Sequence, residues 1–141
     1  MIDPMSGYPG YLLRRASGVA MGRLGAELAR LSLRPTEATV LLVIDANQKA
    51  TQSEIGKLLD IARANMAPLV SKLHKRGWIV RDRIDGRSHG LQLTSSGQKL
   101  VLRVRKAVSD HEKQLIERIP IAHREGFAEG VRALWRSYTL K

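Results

Sequence analysis

The chain has 141 residues, 43% of them hydrophobic, a net charge of +11 from 24 Lys and Arg against 13 Asp and Glu, and no cysteine. That length suits one compact domain, the composition is too apolar for disorder, and no apolar run approaches the roughly 18 residues of a membrane span. Disulfides, thiolate zinc sites, iron–sulfur clusters and cysteine redox sensing are excluded, because the sulfur is missing.

Residues 1–10 carry Asp3, Pro4 and Pro9 and lack the basic start and apolar block of a secretory signal, so a cytoplasmic location is expected. The positive excess attracts polyanions, nucleic acid foremost. A merely basic surface or an anionic membrane would fit the same charge, and its location along the chain has to decide.

Over residues 11–31, Leu13, Ala16, Ala20, Leu24, Leu28 and Leu31 recur at three- and four-residue steps and predict one apolar helix face. Gly18, Gly22 and Gly25 share another face, each costing about 1 kcal/mol relative to alanine in a helix interior. Such a helix needs tertiary support. Close approach of another backbone, across a subunit interface, is one reason for Gly18 and Gly22; a frayed or kinked helix is the other.

Pro35 suits the first position of a second helix over residues 35–46, where Leu41, Leu42, Val43 and Ile44 make it a core element. Thr51-Gln52-Ser53-Glu54 matches a capping box and opens a short third helix over residues 52–59. A fourth helix is expected over residues 62–76, with Met66, Leu69, Val70 and Leu73 inward and Gly77 as its stop. Pro68 either bends this helix or, if Asn65 is the N-cap, falls in its first turn; a start near Ala62 with a local bend is favoured. The third and fourth helices form a helix-turn-helix.

Trp78 to Arg83 and His89 to Leu93 are short β-type segments around Asp85-Gly86, the pattern of a hairpin with a basic tip. Thr94, or Ser95 with Gln98, caps a long fifth helix bearing Leu100, Val104, Val108, Leu115 and Ile119, ended by Pro120. A last helix over residues 122–138 presents Phe127, Val131, Leu134, Trp135 and Tyr138 on one stripe. The fold class is therefore mainly α with a small β-hairpin wing. Residues 1–141 form one domain, with a winged helix over 34–94 and terminal helices over 8–31 and 95–141.

A helix about 10–12 Å across fits the DNA major groove, and a hairpin beside it reaches the backbone or the adjacent minor groove. From Lys72 to Arg87 there are six Lys or Arg against two Asp, which puts the charge on the element where DNA contact is expected. Arg87 at the tip can enter a narrow minor groove, held in position by Asp85. Arg63 and Asn65, with Ala64 between them, are placed to reach base edges, where arginine suits guanine and asparagine suits adenine. Ser53 and Thr51 at a helix start are candidate phosphate contacts, Thr51 with a structural role as the better alternative, and Lys72, Lys75, Arg81 and Arg83 are further candidates, with a solvated charged face as the alternative for each.

The ordered set resembles the MarR family of bacterial transcription regulators along essentially the whole chain. It comprises Leu33-Arg34-Pro35 opening the second helix, Thr51 to Gly56 opening the third, Leu73 to Ile79 ending the fourth, and Asp85-Gly86-Arg87 followed by Leu91-Gln92-Leu93-Thr94. The resemblance implies a homodimer formed through the terminal helices, binding to pseudopalindromic double-stranded DNA, and release by a small-molecule effector. Gly86 stands where many members carry another arginine, which implies a shorter reach into the minor groove.

Leu115, Phe127, Val131, Trp135 and Tyr138 offer more apolar surface than two terminal helices hide alone, and a two-fold partner would cover it. Tyr11, Arg14, Arg15 and Met21 on the first helix suit an anionic aromatic effector. His74, His89, His111 and His123 lack metal-site spacing, no catalytic motif is present, and neither metal nor cofactor is expected. A constitutive or architectural DNA-binding protein and a winged-helix protein-interaction module are the competing readings.

Overall fold

The computed structural model describes residues 1–84 and 89–139, with side chains as far as Arg136. Among the described residues the order is α1 Pro9–Ala29, α2 Pro35–Ala46, α3 Gln52–Leu58, α4 Arg63–Lys75, β1 Ile79–Arg83, β2 His89–Leu93, α5 Ser95–Glu117 and α6 Ile121–Thr139. The chain divides into two compact units, Met1–Val108 and Ser109–Lys141. The fold is a winged helix-turn-helix, mainly helical with one antiparallel hairpin.

Helix α1 starts two residues before the expected Tyr11, because Pro9 has no N–H to leave unpaired and takes an opening position. It ends at Ala29, where the Leu33 amide returns to the Leu28 carbonyl at 3.1 Å and Ser32 adopts a left-handed φ of 57°. Its apolar stripe is buried only at this end: Leu28 is fully enclosed and Leu24 and Leu31 pack on the core, whereas Leu13 is exposed. Among the described residues, a Cβ at Gly18 or Gly22 would meet nothing within 4 Å.

Helix α2 occupies residues 35–46 as expected and buries Val40, Leu41 and Ile44. At the start of α3 the Thr51 hydroxyl accepts from the Glu54 amide at 3.2 Å, and the Glu54 carboxylate accepts from the Thr51 amide at 2.7 Å, which is the reciprocal cap read from the sequence. The bond from the Thr51 amide, then one from the Thr51 hydroxyl at 2.8 Å, hold the Glu54 carboxyl below its ordinary value. The turn into α4 passes close under α3. The Ile61 amide donates to the Gly56 carbonyl at 2.8 Å, and a Cβ on Gly56 would sit 3.0 Å from Met66 and 3.2 Å from the Ile61 carbonyl. Glycine at position 56 lets the two helices cross at this distance.

Helix α4 begins at Arg63, with Ala62 as an uncapped N-cap, and runs unbroken through Pro68. The Asn65 cap is therefore not formed. Pro68 leaves only the carbonyl one turn before it without an amide, close to the helix start, where water reaches exposed Ala64. Met66, Val70 and Leu73 face the core together with Ile55, Ile79 and Leu91. The hairpin pairs Ile79 with Leu93 at its base and Arg83 with His89 at its loop end, and near that loop end β2 is joined to the helix-turn-helix by a bridge between Thr51 and Gly90. The Leu91 amide donates to the Ala50 carbonyl at 2.9 Å, a second tie between β2 and the residues leading into α3.

Helix α5 is capped by Thr94, whose hydroxyl accepts from the Gly97 amide at 3.0 Å and donates to the Gly77 carbonyl at 2.6 Å. Leu100, Val101 and Val104 close the core, and Arg105 reaches Asp45 of α2 at 2.5 Å. In the second unit His111 is buried and Leu115 half-buried, while Arg124 donates to the Glu117 and Ile119 carbonyls and fixes the corner between α5 and α6. No described helix is long and apolar enough to cross a membrane.

Candidate nucleic-acid interface

The start of α3, the α3–α4 turn, the first turn of α4 and the start of β2 enclose an open groove of about 990 Å3. Ser53, Lys57, Arg63 and His89 line it. Three separate local features bring these residues together: the Thr51 cap fixes Ser53, the Gly56 crossing fixes Arg63, and the Thr51–Gly90 bridge fixes His89. The sequence pattern assigns no DNA contact to Lys57 or His89. Lys57 follows from helical spacing, four residues after Ser53 on one face of α3; His89 becomes a groove residue only through the tertiary bridge.

Ala64 and Asn65 are exposed on the first turn of α4, and Lys75 is exposed at its end. Arg81 and Arg83 are exposed on β1, two residues apart and so on one side of the ribbon. Asp82 lies on the opposite side, its carboxylate accepting from Gln92 at 3.2 Å. A hydroxyl, ammonium and guanidinium groups and an exposed helix start are the donors that a phosphate backbone takes up, and arginine and asparagine are side-chain types suited to base edges. Asp85 and Arg87 lie outside the described residues.

Lys72 differs from the other cations. Its ammonium is bound to the Glu37 carboxylate of α2, a side chain buried to 6% exposure, while Lys72 itself is half-exposed. Burial pushes the Glu37 carboxyl up, but the hydrogen bonds from Lys72 and from the Arg34 amide at 2.9 Å, with the charges of Lys72 and Arg76, outweigh it and hold the group below its ordinary value. Lys72 thus serves as the counter-charge of a buried carboxylate. Arg76 likewise turns inward to the Ser32 carbonyl at 2.5 Å, its guanidinium 4.6 Å from the centre of the Trp78 ring.

At the N-terminus, Tyr11, Arg14 and Arg15 do cluster. The Tyr11 hydroxyl donates to Asp3 at 2.6 Å, and the Arg14 and Arg15 guanidinium groups lie 5.4 and 5.8 Å from its ring centre. The Tyr11 bond, then the Met5 amide, with the Arg15 charge adding to them, hold the Asp3 carboxyl low. Met21 is exposed further along the same helix. Of the apolar stripe on α6, Phe127 and Val131 are each 38% exposed and Trp135 66%; the Tyr138 side chain lies outside the description. Among the described residues no group of His, Asp or Glu is arranged to hold a metal ion.

Against known proteins, the model of the MarR family matches residues 31–88. No curated protein matches significantly. Among solved structures, the transcriptional repressor CouR bound to a 23-mer DNA duplex is 32% identical, covering 95% of this chain and 99% of that one with a TM-score of 0.86. CouR bound to p-coumaroyl-CoA is similar at 32% identity, 96% and 97% coverage and a TM-score of 0.85. The S. aureus MepR–DNA complex shares the fold at 21% identity, 98% and 99% coverage and a TM-score of 0.82. A full-length match at this identity, together with the family model over the helix-turn-helix and wing, makes the chain a member of the MarR family of transcriptional regulators.

Proposed function

We propose that the chain is a sequence-specific, homodimeric repressor that binds a pseudopalindromic operator in the cytoplasm and leaves it when a small anionic aromatic molecule binds. The observation that carries this reading is the groove in which Ser53, Lys57, Arg63 and His89 converge beside the exposed first turn of α4. One face of the molecule then contacts backbone and base edges together. The relative CouR, seen on a DNA duplex, supports the same use of this fold.

In this reading Ser53, Arg81, Arg83 and Lys75 hold phosphates, Arg63, Ala64 and Asn65 meet base edges, and Arg87 enters the minor groove with Asp85 positioning it. Residues 34–94 bind DNA, and residues 8–31 and 95–141 pair two copies. The exposed Phe127, Val131 and Trp135 with Leu115 and Tyr138, and the open surface at Gly18 and Gly22, are covered by the partner. Pairing sets two α4 helices about one turn of DNA apart, roughly 34–36 Å, and doubles the sequence read.

The effector face comprises Tyr11, Arg14, Arg15 and Met21, where the Asp3 carboxylate now occupies the anion position. CouR bound to p-coumaroyl-CoA supports an aromatic, anionic ligand class. An effector that prefers the wrong spacing of the two α4 helices weakens operator binding by its differential affinity. Selection of genomic fragments by the purified protein, with and without cell metabolites, tests the whole reading. An enriched inverted repeat lost on adding metabolites is expected; equal recovery of unrelated fragments would overturn it.

A further inference from the structure

A second pocket, of about 410 Å3, lies between the end of α1, the start of β1 and the first turns of α5. Leu31, Leu100 and Trp78 give it apolar walls, and Ser96, Lys99 and Arg103 give it polar ones. None of these six residues is acidic, and Lys99 and Arg103 stand four apart on α5, hence on the same face. The volume falls in the range of small-molecule sites, which combine apolar walls with a few convergent polar groups.

The pocket is rigid where it matters. The Thr94 amide donates to the Trp78 carbonyl at 3.0 Å, and a Cβ on Gly97 would lie 2.0 Å from that same oxygen, so α5 is seated directly on the Trp78 backbone. Arg76, which is not one of the pocket's walls, stacks on the indole at 4.6 Å and fixes its plane. A flat ring is thus presented beside two cations and a hydroxyl, none of which the DNA-binding reading uses.

We propose that this pocket binds a phosphomonoester carrying a flat ring, of the nucleoside monophosphate class. Three donor side chains, Ser96, Lys99 and Arg103, match the three terminal oxygens of a phosphate better than the two of a carboxylate. Trp78 and the two leucines supply the surface on which a base stacks. The site is separate from the effector face on α1, and its occupancy is read without DNA, so it stands or falls independently of the repressor reading.

Isothermal titration of the full chain with adenosine 5′-monophosphate tests it. One saturable site per chain is expected, with adenosine and inorganic phosphate each binding about tenfold or more weakly, since each lacks one half of the recognition. The exposed Lys99→Gln/Arg103→Gln variant should lose about tenfold or more in affinity, while Lys113→Gln, an exposed cation further along α5, should bind like the parent. Absence of saturable binding, unchanged affinity in the α5 variant, or inorganic phosphate binding as tightly as the nucleotide would each overturn the proposal.

Discussion

Lys72 of α4 and Glu37 of α2, 35 residues apart in the chain, form an ion pair that ties α4 to α2. The carboxylate is buried and also accepts the Arg34 amide, so one side chain both stabilises the start of α2 and anchors α4. The orientation of the first turn of α4, proposed above to meet base edges, therefore depends on a residue outside the groove.

Glu37→Gln is expected to lower stability by about 1–2 kcal/mol at neutral pH, less than a fully buried pair because half-exposed Lys72 is rehydrated. The folded carboxyl lies below its ordinary 4.5, so its contribution is complete above that value and is lost as pH falls through the lower folded value. Urea unfolding from neutral to acid pH checks this. The parent should lose stability over that window more steeply than the variant, and parallel profiles would contradict the assignment.

On the DNA face, Arg63→Ala and Asn65→Ala should each cost about 1–3 kcal/mol against the selected operator and relax preference at one base pair. Lys75→Ala should weaken all sequences alike and reduce the salt slope by about one. Binding titrations across salt concentrations on operator and scrambled duplexes separate the two classes. A uniform loss for Arg63→Ala would move it among the phosphate contacts.

For the wing, Arg87→Ala should lower operator affinity by about 1–3 kcal/mol. The effect should be largest where the flanking minor groove is narrow, and replacing a flanking A-tract by G·C pairs should reproduce part of it. Unchanged affinity would remove the wing tip from the interface.

Much of this arrangement was legible in the sequence wherever the signal is local. Pro35 and the apolar run after it placed α2, the Thr51–Glu54 spacing placed α3, and the alternation around Asp85-Gly86 placed the hairpin. A local signal misled at Pro9, which opens α1 earlier than its apolar periodicity does, whereas the favoured start of α4 near Ala62, over a cap at Asn65, is the one observed. What could not be read were the pairings that cross the fold. Lys72 and Arg76 look like any other cations of a basic stretch until Glu37 and the Ser32 carbonyl are brought to them. His89 joins the groove only because Gly90 bridges to Thr51.

At the other end of the chain, Val131→Asp on the exposed stripe of α6 should convert a dimer to monomers at micromolar concentration, because a carboxylate in an apolar interface is desolvated without a partner. Sedimentation velocity reads the change. Weakened operator binding should accompany it, with binding to a single half-site retained at reduced affinity.

The most direct test of the account is the stoichiometry and spacing of the protein on its selected duplex, measured by sedimentation equilibrium together with footprinting. Two protomers on one inverted repeat, with protected half-sites about one helical turn apart, are expected. One protomer on a single asymmetric site, or protection that does not change with sequence, would contradict it.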